Sequence, residues 1–487
     1  MLLLSSSGGG FLLASFFASA AYISWALTYN AFFHPLRRYP GPKLWALSRL
    51  PYAYACATGH GHLKLLALHK KYGDIVRVAP DELSFSSPDA WKEIYGRRKN
   101  ANGEFGKDGI HYAEALDSLL GAPKDKHTRF RRILSRGFSN QAMLDQEFLL
   151  KSHIDLLWVY LIANSKPIDM AEWFDFVALD IITDLSFGES FRCLKSGRYH
   201  PWAQLFIDAL KGMAFAMAIK RFTLLHQLLN LLAPKSLMQK YEENVEFTNQ
   251  MVRRRLSEAD RPDFVRAMAR KEGSEALTLQ EIQANAQVLT MAGYDTTATA
   301  LAGATYLLAS HPDVMANLVQ EVRSTFKTEA EISILGAQNM PYMTAVIDEA
   351  MRVYPPAASG APRQVPSGGD TIFGKYVPGG TVLTLWQWPM YHNPANFSQP
   401  DAFVPERWLG DERFAADHKE AFQPFSYGAR NCIGRNLAYA ELRVILSRLL
   451  WNFELELAPG TEKWMDEQPL YLLWKKTPLN IKLRRRG

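Results

Sequence analysis

A single cysteine, Cys432, lies between Gly428 and Gly434 in a segment that is otherwise aromatic and basic. A free cysteine is most often a buried structural residue. The two glycines, however, permit a tight turn and a close approach of the following helix. Backbone N–H groups at the start of that helix, together with Arg430, would favour the thiolate. Thiolates bind metals, and the sequence has no second cysteine or histidine at ligand spacing. The pattern therefore predicts a metal that brings its other ligands with it, as haem iron does.

The residues around this cysteine, FSYGARNCIG from Phe425 to Gly434, fit the pattern FxxGxRxCxG, through which the chain resembles the cytochrome P450 superfamily. Agreement at each fixed position makes the match highly specific. The resemblance implies that Cys432 is the axial ligand of the iron of haem b (iron protoporphyrin IX), through a thiolate that favours O–O cleavage. It implies that Phe425 and Arg430 contact the haem. It also implies a haem-thiolate monooxygenase with the cytochrome P450 fold, mainly α with small β-sheets.

A second motif lies upstream in a long helical pattern. The segment AGYDTT, residues 292–297, matches the oxygen-activation motif AGx[DE]TT of the family. The helix begins with a capping box, Thr278 to Glu281. Taken alone, the motif would be a helix with polar residues on its solvent-exposed side. Beside a haem thiolate, Asp295 and Thr296 are predicted to be an acid–alcohol pair that delivers protons to oxygen.

An ion-pair motif follows in DEAMRVYPP, where Glu349 and Arg352 lie three residues apart on one helical face. An isolated surface pair of this kind contributes little to stability. The resemblance implies instead a buried triad of Glu349, Arg352 and Arg407, the last from the segment PERW, which holds the cysteine loop in place. The family more often has Phe where PERW has Trp408.

Four further residues match positions that bind the haem propionates in this family. They are His127, Arg131, Arg363 and Arg430. Arginine binds carboxylates through charge-assisted hydrogen bonds. His127 stands where the family's WxxxR helix has tryptophan, and a solvated histidine is the alternative interpretation at this position.

The elements that must position these residues are mainly helical. Apolar residues recur at three- and four-residue spacing and predict helices at 140–160, 171–187, 203–232, 278–310 and 313–326. Two short apolar runs around Pro80-Asp81 predict a hairpin within residues 74–87. Strand character returns at residues 374–385, with a turn at Pro378-Gly379-Gly380.

The N-terminal region predicts a membrane anchor. Residues 11–29 form 19 consecutive uncharged residues, about the length that spans a bilayer. The basic residues Arg37, Arg38 and Lys43 follow it, and none precedes it. This asymmetry predicts a single-pass anchor with the catalytic domain facing the cytoplasm. The resemblance implies that the membrane is that of the endoplasmic reticulum. A signal peptide cleaved near Ala18-Ser19-Ala20 is the alternative.

We therefore expect an anchor in residues 1–30, a proline-rich linker in 31–45 and the haem-thiolate domain in 46–487. The sequon at Asn396 would carry a glycan if the domain faced the lumen.

Composition excludes several classes of protein. The chain has 487 residues, of which 48% are hydrophobic, so it can bury a large core. Its net charge of +6 is too diffuse to indicate nucleic-acid binding. The cysteines Cys56, Cys193 and Cys432 are too few and too widely spaced for a disulfide framework, which favours a reducing compartment.

Electrons must come from a partner, because the chain has no GxGxxG fingerprint after a strand. The resemblance implies a membrane-bound NADPH–cytochrome P450 reductase, with or without cytochrome b5, so that NADPH acts indirectly. A basic patch suits an acidic flavoprotein, although the same charges could serve solubility alone. Its residues are Lys124, Lys126, Arg129, Arg131, Arg132, Arg435 and Arg443.

The substrate is predicted to be lipophilic, because the segments that line the pocket in this family are apolar and small here. The motifs and the proline-rich segment after the anchor resemble those of microsomal fungal enzymes of secondary metabolism. This resemblance implies hydroxylation or epoxidation of a terpenoid, polyketide or alkaloid. The alternatives are a desaturase, a ring-coupling enzyme or an isomerase without net oxygen insertion, and a non-catalytic haem sensor. The Asp295–Thr296 pair argues against an isomerase and a sensor, because neither needs proton delivery.

The assignment of Cys432 leads to a spectroscopic prediction. Replacing the thiolate by a hydroxyl in Cys432→Ser is expected to abolish the thiolate signature of the reduced CO complex, because sulfur then no longer donates to the iron. The measurement is a reduced-CO difference spectrum, with Cys56→Ser as the matched control. A Cys432→Ser protein that keeps the signature would refute the ligand assignment.

Overall fold

The computed structural model describes residues 6–98, 103–163, 166–232, 234–269, 276–466 and 468–486. The helices are α1 (Ser6–Thr28), α2 (Lys43–Leu47), α3 (Leu50–Ala57), α4 (Gly61–Tyr72), α5 (Lys124–Leu134), α6 (Asn140–Ala163), α7 (Met170–Phe187), α8 (Cys193–Ser196), α9 (Pro201–Ile219), α10 (Thr223–Leu232), α11 (Lys235–Ser257), α12 (Phe264–Ala269), α13 (Leu279–Ser310), α14 (Pro312–Thr325), α15 (Pro341–Val353), α16 (Gln387–Tyr391) and α17 (Arg435–Asn452).

The strands are short and form three sheets. They are β1 (Ile75–Ala79), β2 (Glu82–Phe85), β3 (Gly106–Lys107), β4 (Ile168–Asp169), β5 (Arg363–Gln364), β6 (Asp370–Ile372), β7 (Lys375–Val377), β8 (Val382–Leu385), β9 (Phe453–Leu457) and β10 (Asn480–Arg485). The sheet orders are β1-β2-β8-β5-β3, β4-β10-β9 and β6-β7. The architecture is therefore mainly α with small β-sheets, as predicted.

Helix α13 is the central element of the fold. The Thr278 side chain accepts a hydrogen bond from the Glu281 N–H, and the Glu281 carboxylate accepts one from the Thr278 N–H, so the predicted capping box is present. Its middle and C-terminal turns are buried on almost every face, which is typical of a helix inside a large core. It packs against α7, α15 and α17. Residues on α13 are therefore held rigidly with respect to the elements around the cysteine.

Helices α15 and α17 flank the cysteine loop. Helix α15 ends at Val353, before Pro355 and Pro356, because a residue before proline disfavours the helical conformation. Helix α17 begins at Arg435, with Gly434 as its N-cap. Both helices also contact α13. The motif residues of α13, α15 and the cysteine loop are thus parts of one packed unit.

Most predicted elements are confirmed, and two regions differ from the prediction. The helix predicted at 203–232 is two helices, α9 and α10, separated at residues 220–222. The strands on either side of Pro378-Gly379-Gly380 do not pair with each other. Strand β7 pairs with β6, while β8 pairs with β2 and β5. The Gly380 N–H donates to the Val365 carbonyl, and this bond directs β8 alongside β5.

The N-terminal helix α1 exposes a series of large apolar side chains. They include Phe16, Phe17, Tyr22, Ile23 and Trp25. The first five residues of the predicted anchor lie outside the described residues. Among the described residues, one helix, α9, is long and apolar enough to cross a membrane by length and composition. The following segment packs against the body, where Leu36 is fully buried and the Pro40 carbonyl accepts a hydrogen bond from the Arg77 N–H.

The sequon cannot report on topology in the folded protein. Asn396 is buried, and its Nδ2 donates to the carbonyl oxygens of Ser86 at 2.8 Å and Met390 at 2.9 Å. A glycosylated Asn396 could not make these bonds. An unmodified Asn396 is therefore expected on either side of the membrane.

The packing of α13 leads to a stability prediction. A Cβ added at Gly303 would lie 2.5 Å from Cδ1 of Tyr354, so Gly303→Ala is expected to destabilise the fold by about 1–3 kcal/mol through overpacking. The matched control is Gly212→Ala in α9, where an added Cβ meets nothing within 4 Å. This control is expected to be neutral or to stabilise by up to about 1 kcal/mol. The measurement is the midpoint of the urea unfolding transition, and equal midpoints for the two variants would contradict the prediction.

Candidate active site

A large cavity lies between α13 and the cysteine loop. Its empty volume is about 1490 Å³, including the part that opens to solvent. The lining includes Ala292 and Thr296 from α13, Arg363 from β5, and Phe425 and Cys432 from the loop before α17. The structure therefore brings the thiol and the predicted alcohol to one cavity, together with two of the predicted propionate ligands, Arg363 and Arg430.

The cysteine loop is shaped by a glycine and a backbone hydrogen bond. Gly428 has φ +77°, and an added Cβ there would collide with the carbonyl oxygen of Tyr95. Only glycine fits this combination of dihedral angle and close approach. The Cys432 N–H donates to the Phe425 carbonyl at 2.8 Å, which closes the loop and directs Cys432 to the cavity. At Gly434 an added Cβ would find no atom nearer than 3.9 Å, so the predicted close approach there does not involve the protein itself.

The surroundings of Cys432 act on the pKa of its thiol in both directions. Burial raises the pKa of the Cys432 thiol above its ordinary value, although the backbone N–H groups of Gly434 and Arg435 and the charge of Arg131 act in the opposite direction. A coordinated cation reverses this balance, since a coordinating thiol is deprotonated.

A guanidinium without hydrogen-bond partners at one edge of the cavity indicates an anionic ligand. Arg363 is buried, and its Nε and Nη1 have no hydrogen-bond partner among the described residues. Its guanidinium lies 5.0 Å from the centroid of the Tyr95 ring. Lys107 also lines the cavity, and burial and the charge of Arg363 hold the pKa of its ammonium well below the ordinary value. Because unpaired buried cations are costly, this edge fits the carboxylates of a haem.

The other predicted propionate ligands have protein partners in the structure. Arg430 binds Glu104, with nitrogen–oxygen distances of 2.9 and 3.0 Å, and the Ala122 carbonyl at 2.8 Å. The Arg131 Nη2 donates to Asn431 Oδ1 at 2.7 Å and so braces the cysteine loop. His127 is buried, and burial lowers its pKa to about 4, which makes the imidazole neutral. Their contact with propionates stays a prediction.

The structure brings the predicted triad together. Arg352 Nη2 lies 2.9 Å from Glu349 Oε1, and Arg407 Nε lies 3.2 Å from the same oxygen. All three side chains are fully buried. Arg407 also pairs with Asp417, so two carboxylates face two guanidinium groups and the buried cluster is neutral. A buried pair of this kind is strongly destabilised when one partner is removed.

The tryptophan of PERW has a role that the sequence did not reveal. The Trp408 indole N–H donates to Glu349 Oε2 at 2.9 Å. The Val404 N–H donates to Oε1 at 3.1 Å. The phenylalanine that is commoner at this position has no donor. In this chain Trp408 therefore adds a hydrogen bond to the carboxylate at the centre of the triad.

The predicted acid–alcohol pair is divided between two environments. Thr296 lines the cavity, and its hydroxyl donates to the Ala292 carbonyl at 2.6 Å. Asp295 is buried outside the cavity lining, and its Oδ1 lies 2.9 Å from Nζ of Lys476. The structure thus does not bring the Asp295 carboxylate to the cavity. Neighbouring residues on a helix point about 100° apart, which explains the division.

Three polar residues at or near the cavity were missed by the sequence analysis. Lys107 lies on the short strand β3, and Lys476 follows the buried Trp474. Glu441 lines the cavity from α17, and burial raises its pKa to about 8, although a hydrogen bond with Thr297 lowers it. Two of them could have been noticed in the sequence, because Glu441 interrupts an apolar helical stripe and Lys476 follows an apolar run.

Comparison with known proteins identifies the family. The sequence model described as Cytochrome P450 matches residues 39–483. The chain is 45% identical to a trichothecene C-15 hydroxylase of Fusarium sporotrichioides, over 95% of this chain and 96% of that protein. It is 42% identical to an averantin hydroxylase of Dothistroma septosporum, over 97% and 92%. It is 40% identical to the cytochrome P450 monooxygenase astA of Talaromyces wortmannii, over 94% of each chain.

The chain therefore belongs to the cytochrome P450 family and is a cytochrome P450 monooxygenase. Membership implies a haem-thiolate cofactor, a reductase as electron donor and a small-molecule substrate.

The unpaired guanidinium of Arg363 leads to a prediction on haem retention. Hydrogen bonds to charged groups contribute about 1.5–3 kcal/mol, so Arg363→Gln is expected to weaken haem affinity about 10- to 100-fold. The measurement is competition for haem with apomyoglobin. The matched control is Arg413→Gln, whose guanidinium pairs with Asp411 at the surface. Haem affinity equal to that of the wild type would show that Arg363 serves another anion.

Proposed function

We propose that this cytochrome P450 uses O2 and electrons from NADPH, delivered by a separate reductase, to hydroxylate or epoxidise a lipophilic small molecule in a fungal secondary-metabolite pathway. The observation that carries this proposal is the shared cavity, which has the Cys432 thiol on one wall and the Thr296 hydroxyl on α13. When bound, the haem supplies activation of dioxygen, with a thiolate ligand that favours O–O cleavage.

The proposed haem ligands are Cys432 for the iron and Arg363 for a propionate. Arg363 fits because its Nε and Nη1 are buried without partners among the described residues. Lys107 is a second candidate, because burial holds its pKa well below the ordinary value and an anion would relieve this penalty. Arg131 and Arg430 are proposed to hold the cysteine loop in place. Arg131 donates a hydrogen bond to Asn431, and Arg430 donates one to the Ala122 carbonyl. His127, buried next to them, would donate an N–H.

Thr296 is the proposed catalytic alcohol. Its hydroxyl proton is directed to the Ala292 carbonyl. The lone pairs of Oγ1 can therefore accept a hydrogen bond from a ligand in the cavity. This bond to the carbonyl four residues earlier also competes with the helical hydrogen bonds. The neutral Thr296 hydroxyl can pass a proton on only while it takes up another, and the open lone pairs of Oγ1 allow it to do so.

Substrate class is supported by the apolar lining and by the names of the relatives. Leu120, Phe138, Ile182, Ala300 and Leu385 line the cavity, and such walls bind ligands mainly through burial of apolar surface. Two relatives are named as hydroxylases, one of trichothecenes at C-15 and one of averantin. We therefore propose a terpenoid, polyketide or alkaloid substrate.

The exposed apolar helices support an association with membrane. Helix α1 exposes Phe16, Phe17 and Trp25, and α10 exposes Leu224 and Leu231. Exposed apolar surfaces of this extent mark interaction sites. We propose an anchor in residues 1–30, a linker in 31–45 and a catalytic domain in 46–487 that faces the cytoplasm from the endoplasmic reticulum.

Electron delivery is proposed to occur at the surface behind Cys432. Arg435, at the start of α17, is exposed next to Phe425 and Tyr439. Part of the predicted basic patch is already neutralised, since Lys126 pairs with Asp117 and Arg129 with Glu281. The reductase-binding surface is therefore centred on Arg435, and cytochrome b5 would use the same face.

Labelled dioxygen tests the proposed reaction. The full chain is expressed with an NADPH–cytochrome P450 reductase, supplied with a fungal metabolite extract under heavy-isotope dioxygen, and products are compared by mass. A product with one labelled oxygen is expected. A new product without label would indicate desaturation, ring coupling or isomerisation and would overturn the proposal, as would an extract that stays unchanged.

A threonine substitution tests the role of the cavity-facing hydroxyl. Thr296→Ala is expected to lower labelled product per NADPH oxidised about 10-fold or more, because proton transfer by a positioned side chain contributes at least about 10²-fold. The matched control is Thr290→Ala, also on α13, whose Oγ1 makes the same bond to the carbonyl four residues earlier at 2.9 Å. Equal losses in both variants would show that the effect comes from the helix and not from the cavity.

A further inference from the structure

A buried carboxyl group lies on the wall of the cavity that α17 forms. Glu441 belongs to this helix and is 4% exposed. The residues of α17 that line the cavity share one helical face, and they are Leu437, Ala438, Glu441 and Leu442. Glu441 is the only one of these residues whose side chain can carry a charge. It lies about 10 Å along the helix from Gly434, where the cysteine loop ends.

Glu441 lacks the arginine that compensates other buried glutamates. Among the described residues, Glu82 contacts Arg49, Glu281 contacts Arg129 and Glu349 contacts Arg352. The pKa of Glu441 is raised by burial to about 8, although a hydrogen bond with Thr297 lowers it. An isolated buried carboxylate is costly, so the group takes up a proton instead. Glu441 is therefore an uncharged acid at neutral pH.

The partner of Glu441 places the acid between two helices of the site. Thr297 belongs to α13, is buried and lines the cavity beside Thr296. Helices α13 and α17 pack against each other. Because Cys432 lines the same cavity, a haem bound through this residue would share the cavity with Glu441. The charge of Glu441 can therefore act on the cofactor.

The charged groups on the elements packed against α17 have other partners. On α13, Asp295 pairs with Lys476. On α15, Asp348 accepts a hydrogen bond from Tyr439. The remaining groups are Glu349 and Arg352 on α15, Asp155 on α6, Glu321 and Arg323 on α14, Glu456 on β9, and Arg443 and Arg448 on α17 itself. None of these groups is among the causes that shift the pKa of Glu441.

Charges on the other walls of the cavity are also separate from Glu441. Burial lowers the pKa of Lys107 and of Arg363, and the charge of Arg430 lowers both further. Glu441 is not among the groups that act on these two residues or on the Cys432 thiol. A negative charge at Glu441 would accordingly be uncompensated within the protein.

We propose that Glu441 sets the reduction potential of the haem through its proton, since the uncharged acid keeps the iron easy to reduce and loss of the proton makes reduction harder. The cause is electrostatic, because reduction adds one negative charge to a cavity that would already hold a carboxylate. At about 10 Å and an effective dielectric constant of about 20, one unit charge changes an equilibrium constant about tenfold.

The coupled step is balanced in charge and in protons. At neutral pH one electron from the reductase converts ferric to ferrous iron, and Glu441 keeps its proton. Above a pH of about 8, the same electron enters together with one proton from solvent, which converts the Glu441 carboxylate to the acid. No other bond forms or breaks.

Two substitutions distinguish this role from a purely structural one. Glu441→Gln keeps the size and the hydrogen-bonding capacity of the side chain and removes its titration. Thr297→Val removes the hydroxyl whose hydrogen bond lowers the pKa of Glu441, so the titration is expected to move to higher pH. The matched control is Glu454→Gln, because Glu454 follows α17 in the chain and is exposed.

Infrared absorption of protonated carboxyl groups tests the charge of Glu441. Difference spectra of the holoenzyme are recorded between neutral pH and a pH well above 8. Burial raises the pKa of Asp348 to only about 6, so this group is ionised in both states and does not contribute. We expect a band that is lost at the higher pH in the wild type and in Glu454→Gln, and no such band in Glu441→Gln. The same band in Glu441→Gln, or its absence from the wild type, would refute the uncharged acid.

Reduction potentials test the effect on the cofactor. They are measured by spectroelectrochemical titration of the holoenzyme over the same pH range. In the wild type and in Glu454→Gln, we expect the equilibrium constant for reduction to fall about tenfold as the pH rises through about 8. A tenfold change is about 59 mV for one electron. We expect Glu441→Gln to lack this fall and Thr297→Val to show it at higher pH.

An equal pH dependence of the potential in the wild type and in Glu441→Gln would overturn the proposal. A titration at unchanged pH in Thr297→Val would overturn it as well, and this variant decides alone if Glu441→Gln does not retain haem. Both measurements use the holoenzyme without substrate, so their outcome is independent of the reaction that the labelled-dioxygen experiment tests.

Discussion

The burial of one carboxylate between two arginines is the interaction on which the active site depends. Glu349 is fully buried, so its charge must be compensated inside the protein. Arg352 supplies this from the same helix, and Arg407 supplies it from a segment more than fifty residues later. Arg352 also donates to the carbonyls of Tyr391, Pro400 and Ala402. The charge of Glu349 thus orders the long irregular segment that leads to the cysteine loop, where few backbone groups have partners in regular structure.

The same principle, a charge that requires a partner, operates in three different ways around the cavity. At Glu349 compensation is complete within the protein. At Arg363 it is incomplete, which leaves donors for an external anion. At Asp175, Lys476 and Asp295 there is one carboxylate more than the cation can neutralise. The three clusters therefore differ in charge balance, and only the charge of Glu349 is fully compensated by the protein itself.

Much of the fold and part of the site could be predicted from the sequence, because the relevant signals are local. The capping box of α13, the helical spacing of Glu349 and Arg352 and the glycine that permits the cysteine turn each lie within a few residues. Contacts between distant segments were not predictable. Lys476 is 181 residues from Asp295, and no pattern in either segment specifies the other. The partners of strand β8 were not predictable for the same reason, since its neighbours β2 and β5 come from distant parts of the chain.

Tyr95 connects parts of the site that would otherwise be independent. Its carbonyl is the surface against which Gly428 packs, its hydroxyl donates to the Ala361 carbonyl at 2.7 Å, and its ring faces Arg363. The thiol loop and the cationic edge of the cavity therefore both contact one residue, the loop through the Tyr95 backbone and the edge through its side chain. For enzyme engineering this makes Tyr95 a poor position for altering substrate preference, although it lines the cavity. Leu120 and Ala300 also line the cavity, and their side chains make no hydrogen bonds, so they are the natural positions for diversification among related enzymes.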